Sequence, residues 1–176
     1  MTEKSYAERL VYDNLSRIRE QIDKACCDAG RSPDEVKLMA VTKTVDAERI
    51  NAALHLGVNL IGENRVQEFL KKREQLDLVN TDVHLIGHLQ TNKVRQIVGK
   101  VDAIDSVDSL RVAEAISKHS EKLGIVTPIL VEVNIGGEEA KSGIAPDRLE
   151  ELLTTLKLKG RENHLPNQLS GGQQQR

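Results

Sequence analysis

Five short apolar runs, each followed by a segment with helical spacing, constrain this chain more than any other feature of its sequence. The first run, Val36 to Val41, ends in Thr42-Lys43-Thr44, and Asp46 is placed to cap a helix carrying Ile50, Ala53 and Leu54 up to Gly57. Val58 to Ile61 follows, with a helix from about Asn64, and then Val83 to Ile86, with a helix after Thr91 that closes at Gly99. Val101 to Ile104 precedes a helix from Asp108 to Gly124, and Thr127 to Ile135 precedes one starting near Pro146. Ahead of them all, Val11, Leu15, Ile18, Ile22, Ala25 and Ala29 recur in steps of four and three, which predicts a long amphipathic helix stopped by Gly30 and Ser32-Pro33. Short apolar strands joined by helices predict a parallel sheet, because parallel neighbours need crossover connections. The predicted class is α/β, with about five parallel strands alternating with helices plus an N-terminal helix.

The pattern fits both an open doubly wound sheet and part of an eight-stranded barrel. No G-x-G-x-x-G follows the first strand; that loop presents a lysine. In either architecture ligands lie at the carboxyl ends of the strands, where Lys43, Gly62-Glu63-Asn64, Gly87-His88, Ser106 and the Gly136 to Gly143 loop fall.

Charge and composition narrow the partners. With 25 Lys and Arg against 27 Asp and Glu, the net charge of -2 supplies neither a basic stripe for nucleic acid nor a cationic face for membranes. No Trp, one Phe (Phe69) and two Tyr (Tyr6, Tyr12) argue against stacking on nucleobases. No apolar run reaches the roughly eighteen residues of a membrane span. Cys26 and Cys27 are adjacent and poorly placed to bridge each other, which fits a reducing, cytoplasmic setting, and no metal site is expected.

Lysine at a strand end is the sharpest chemical signal. Enclosed in a ligand crevice, the Lys43 amine would be desolvated toward its neutral form and attack an aldehyde to give a Schiff base. The competing possibility is a strand-end lysine reaching into water. Longer stretches shift the balance between them. Ala40-Val41-Thr42-Lys43-Thr44, Ile61 to Glu68 (Ile-Gly-Glu-Asn-Arg-Val-Gln-Glu), His84 to Lys93 (His-Leu-Ile-Gly-His-Leu-Gln-Thr-Asn-Lys) and Val133 to Gly143 occur in order. Together they resemble the pyridoxal phosphate homeostasis family, also called the YggS or PROSC family, from the first helix to about Leu153.

That resemblance implies an incomplete TIM-type (β/α) barrel similar to the N-terminal domain of alanine racemase. It also implies a non-catalytic protein that holds pyridoxal 5'-phosphate as a Schiff base on Lys43 and passes it to apoenzymes that depend on it. Asn64 matches the family's asparagine beside the cofactor, where an amide hydrogen-bonds a ring substituent without adding charge; as a plain sequence feature it is equally a helix N-cap. His88 is either a neighbour of the cofactor ring or a locally bonded loop residue, and Ser106 receives no role. The Gly136 to Gly143 loop, with Glu138, Glu139 and Lys141, shapes a site's rim or is a solvated loop. Glu132 shares a strand face with Leu130 and Asn134, and burial there would demand a partner.

Family likeness is expected over residues 1–160, with Leu156 to Gly160 starting a sixth strand, and is lost from Arg161. Leu165 to Arg176 instead resembles the signature motif of ABC transporter ATPases, so residues 161–176 are expected to be a foreign, flexible tail. Gly87 to Lys93 has Asn92 where a phosphate-binding loop requires its second glycine, so ATP hydrolysis is not expected. On this view the barrel is truncated before the phosphate-binding segments, its cofactor binding is impaired, and its exposed sheet edges favour self-association. The alternatives are a pyridoxal phosphate-dependent amino acid racemase and an inactive fusion fragment.

Overall fold

The computed structural model describes residues 6–138 and 142–155. These fall into two compact units, one within Met1–Glu63 and Gln67–Val83, the other within Asn64–Val66 and His84–Arg176. The expected sixth strand and the 161–176 tail lie outside the described residues.

In the first unit the N-terminal helix α1 spans Tyr6–Asp28 and packs on α2, Ala47–His55. The inward stripe of α1 buries Leu15 and Cys26, whereas Ala25 and Ala29, expected on that stripe, are exposed because a 3.6-residue repeat from Leu15 and Ile22 lands on Cys26. Arg19 donates its guanidinium to the Leu56 carbonyl at 3.0 Å, satisfying an acceptor that the end of α2 leaves open. At the other end Asp46 is the N-cap, accepting from the Arg49 amide at 2.9 Å, and α2 turns Ile50, Ala52 and Leu54 inward.

Strand β1 is only Ala40–Val41 and pairs in parallel with β2, Leu60–Glu63, in the register Ala40↔Ile61 and Val41↔Gly62. Both strands differ from expectation for a local reason. A capping box between Ser32 and Glu35 folds Pro33–Glu35 into a 3₁₀ turn, and the Val36 amide bonds back to Pro33, so the first apolar run starts as a turn. Val58 closes α2 by donating to Ala53 across Gly57, whose φ of +84° suits a helix C-terminus, and β2 therefore starts two residues later than its apolar run. Helix α3, Val66–Lys72, inserts Phe69, fully buried, into this unit's core. Asn51 bonds the backbone at Gln75 and Asp77, each at 2.9 Å, and His55 meets Asp77 at 3.0 Å, tying α2 to the segment after α3.

Strand β3, Asp82–Leu85, leads into the second unit, where it pairs in parallel with β4, Ala103–Val107, through His84↔Ala103 and Leu85↔Ile104. Beyond it β4 pairs in parallel with β5, Ile129–Val131. The expected fifth run from Thr127 to Ile135 is broken: β5 covers its middle, Val133 makes one further parallel bridge to Ile144, and Ile135 is 85% exposed. Helices α4 (Val94–Ile97, entered through a 3₁₀ turn at Thr91–Lys93), α5 (Leu110–Leu123) and α6 (Pro146–Thr155) occupy the expected intervals. Gly124 ends α5 in the left-handed region at φ +65°. Leu85, Leu89, Ile97, Ile104, Val107 and Leu152 form the buried apolar set. The α/β class and the parallel, chain-ordered pairing within each unit are as predicted.

Phe69→Ala removes the one phenylalanine of the chain from a fully buried position. A loss of about 3–5 kcal/mol is expected, read by far-ultraviolet circular dichroism in urea because the chain has no Trp.

Candidate cofactor site

The backbone after β1 reverses in a tight turn from Thr42 to Val45, closed by the Val45 amide on the Thr42 carbonyl at 3.2 Å. Thr44 has φ +60° while Lys43 is not among the positive-φ residues, which defines a type II turn with Lys43 and Thr44 at its centre. Glycine or asparagine normally fills the second central position; a β-branched residue there costs about 1–3 kcal/mol, so the surroundings must hold it. Lys43 is exposed at the carboxyl end of β1, and among the described residues its amine has no hydrogen-bond or ion-pair partner. The enclosure expected from the sequence is therefore not seen; the amine faces solvent, unengaged.

Beneath the turn lies a charged cluster. Glu63, fully buried at the end of β2, accepts from the Thr42 hydroxyl and, at 2.9 Å, from the Lys72 ammonium of α3. Lys72, itself buried, also donates to the Thr42 carbonyl at 2.8 Å, the Val45 carbonyl at 3.4 Å and Glu68 Oε1 at 3.1 Å. The same Glu68 oxygen accepts from the Thr44 amide at 2.6 Å. Glu63 Oε2 is buried with no partner among the described residues. Sequence reasoning missed this cluster; the spacing of Glu68 and Lys72 one helical turn apart marks only that pair, not the burial of Glu63 that the cluster serves.

Asn64 belongs to the second unit, and its Oδ1 is buried without a partner. The N-cap alternative fails: α3 begins at Val66 and the Asn64 oxygen accepts no backbone amide. Gly87 sits so close that a Cβ there would lie 2.2 Å from the Asn64 carbonyl oxygen. The buried Ser106 hydroxyl donates to the Gly87 carbonyl at 2.7 Å, fixing the peptide that abuts Asn64. This supplies the role that the sequence left Ser106 without. His88 Nδ1 meets Asp108 at 2.7 Å, and the His88 side chain is 55% exposed, a locally bonded loop residue. His84 Nδ1 meets Asp105 at 2.9 Å, half-buried, while the other Asp105 oxygen is buried and unpartnered. Glu132 is half-buried and finds Ser142 as a partner at 3.4 Å. Residues Glu139 and Lys141 of the neighbouring loop lie outside the described residues. No group of three or more potential metal ligands occurs among the described residues, and no helix among them is long and apolar enough to cross a membrane.

An exposed primary amine with no partner among the described residues is chemically suited to a ligand that carries a carbonyl carbon. Comparison with known proteins points the same way. The chain matches the model of the alanine racemase N-terminal domain over residues 14–165. It is 48% identical over 147 residues to the pyridoxal phosphate homeostasis protein of Aquifex aeolicus, covering 83% of this chain and 64% of that protein. With the protein of the same name from Escherichia coli K12 it shares 35% identity over 159 residues, 85% of this chain and 68% of the relative. Among solved structures, PipY of Synechococcus elongatus with pyridoxal phosphate bound superposes with a TM-score of 0.64 at 34% identity, covering 78% of this chain and 65% of PipY. Alanine racemase of Clostridium difficile, at 18% identity and TM-score 0.62 over 84% of this chain and 37% of its own, shares the fold alone. The barrel family expected from the motifs is thereby established, and the chain spans about two thirds of the length of these relatives.

Gly87→Ala forces the new Cβ into the Asn64 backbone. A destabilisation of about 3 kcal/mol or more is expected from thermal or urea unfolding, with the Asn64 resonances shifted in the folded fraction.

Proposed function

Because the chain belongs to the pyridoxal phosphate homeostasis family, within the fold of the alanine racemase N-terminal domain, we propose that it binds pyridoxal 5'-phosphate on Lys43 and serves to hold and release the cofactor. The observation that carries this reading is the exposed, unengaged Lys43 amine after β1, within the Ala40 to Thr44 motif that resembles the family's. When bound, the cofactor supplies an aldehyde carbon and an electron-withdrawing pyridine ring. Lys43 contributes the nucleophilic amine, which its exposure leaves open to an incoming aldehyde. Asn64 contributes a neutral amide whose buried oxygen has no other partner, matching a ring substituent without adding charge. The buried Glu63 and Lys72, with the partly exposed Glu68, hold the backbone that carries the amine.

We read the role as binding without turnover. The relatives that share a third to half of their residues are named for homeostasis, whereas the racemase likeness is one of fold. Enzymes that depend on the cofactor are the proposed recipients, and the cytoplasm, where the free Cys26 and Cys27 stay reduced, is the proposed location. Residues 161–176 are proposed to add nothing to the site, and exposed strand edges to promote self-association, which a single sharp monomer peak in size-exclusion chromatography would refute.

Added pyridoxal phosphate is expected to give the purified chain a visible absorption band and, after borohydride reduction, one mass adduct mapped to Lys43. Both should vanish in Lys43→Ala, and Asn64→Ala should weaken binding by about tenfold. Adducts scattered over other lysines, or unchanged in Lys43→Ala, would overturn the assignment. Alanine racemisation that requires Lys43 would overturn the non-catalytic role.

A further inference from the structure

We propose that Glu68 and Lys72 of α3 are positioning residues for Lys43: they select the peptide orientation of the turn that presents its amine. The inference rests on the cofactor reading above but stands on geometry of its own. Type I and type II turns differ by a flip of the central peptide, which here joins Lys43 to Thr44. With threonine at the second central position the flipped, positive-φ form is the disfavoured one, since its Cβ crowds the backbone. Left to itself the turn would relax by rotating that peptide.

Three side chains oppose the rotation, one of them within the turn: the Thr44 hydroxyl donates to the Lys43 carbonyl of the central peptide at 2.7 Å. The Thr44 amide, which swings with the central peptide, is held by the Glu68 carboxylate at 2.6 Å, a charge-assisted bond available in one orientation only. The Lys72 ammonium grips the carbonyls at both ends of the turn, Thr42 at 2.8 Å and Val45 at 3.4 Å, and orients Glu68 at 3.1 Å. Lys72 is in turn anchored by Glu63 at 2.9 Å, with the ammonium side chain 11% exposed and the carboxylate fully buried. Rotation of the peptide changes ψ of Lys43 and with it the rotamers open to its side chain. The direction of the amine is thus set by α3 together with the turn's own Thr44 hydroxyl.

The test compares Glu68→Ala, Glu68→Gln and Lys72→Met with the unaltered chain. Two readouts are taken: hydrogen exchange of the Thr44 amide by nuclear magnetic resonance, and the rate of pyridoxal phosphate capture at Lys43 trapped by borohydride. Glu68→Ala is expected to speed Thr44 exchange and to slow capture, each by about tenfold or more, from loss of one bond to a charged acceptor. Glu68→Gln keeps an oxygen that accepts the amide, so both readouts should stay within about threefold of the unaltered chain. Lys72→Met should behave like Glu68→Ala; if it fails to fold because Glu63 is stranded, the partly exposed Glu68 pair still decides the question. Unchanged Thr44 exchange in Glu68→Ala, or faster exchange with capture unaffected, would overturn the positioning role. A chain that never captures the cofactor, though Thr44 exchange responds as expected, would sink the cofactor reading while leaving the hold of α3 on the turn established.

Discussion

A carboxylate with no exposed surface ends β2, and much of the first unit is arranged around keeping it there. An isolated buried charge is too costly to persist, so Glu63 requires a counter-charge and a donor, and these come from Lys72 and Thr42. That single requirement draws α3 against the end of the parallel pair and makes the backbone beyond β1 part of the ion cluster. A hydrophobic pair would pack as well at similar volume, but it would bond neither the Thr42 carbonyl nor Glu68. The charges serve to specify a geometry more than to add stability.

The reactive group and its support have opposite environments. Lys43 stands in solvent with its amine unengaged, while the ammonium of Lys72, bonded to the Thr42 and Val45 carbonyls that flank the turn, is enclosed. One lysine is left exposed and the other is enclosed. On the proposed function, this division leaves the rigid part in place when a ligand comes or goes.

Element order and type were legible in the sequence because apolar periodicity and the punctuation at Asp46, Gly57, Gly99, Gly124 and Pro146 agree with one another. Strand limits were less so. Val36 and Val58 look like strand residues, yet local hydrogen bonds to Pro33 and Ala53 claim them for a turn and a helix end. Lys43 could be picked out by its place after the first apolar run and by the motif around it. Its supporting cluster could not, because burial of Glu63 and Lys72 depends on partners brought together from separate elements, and a lone glutamate or lysine in a motif looks like any solvated charge. Asn64 illustrates the same limit: its residue type suits a helix cap, and only the actual start of α3 shows that it is not one.

Each register established within the two units joins a strand to the next one along the chain, with partners such as Ala40 and Ile61, His84 and Ala103, or Ile104 and Ile129 separated by about twenty to twenty-five residues. Loop-closure entropy is therefore paid in small, similar instalments, and no strand has to wait for a distant segment to be synthesised before it can pair. On the ribosome, β1 and β2 can meet as soon as Glu63 has emerged, but the lysine that neutralises this carboxylate follows only nine residues later in the chain. Vectorial synthesis thus delivers the counter-ion of Glu63 soon after the carboxylate itself and eleven residues before the first unit ends at Val83.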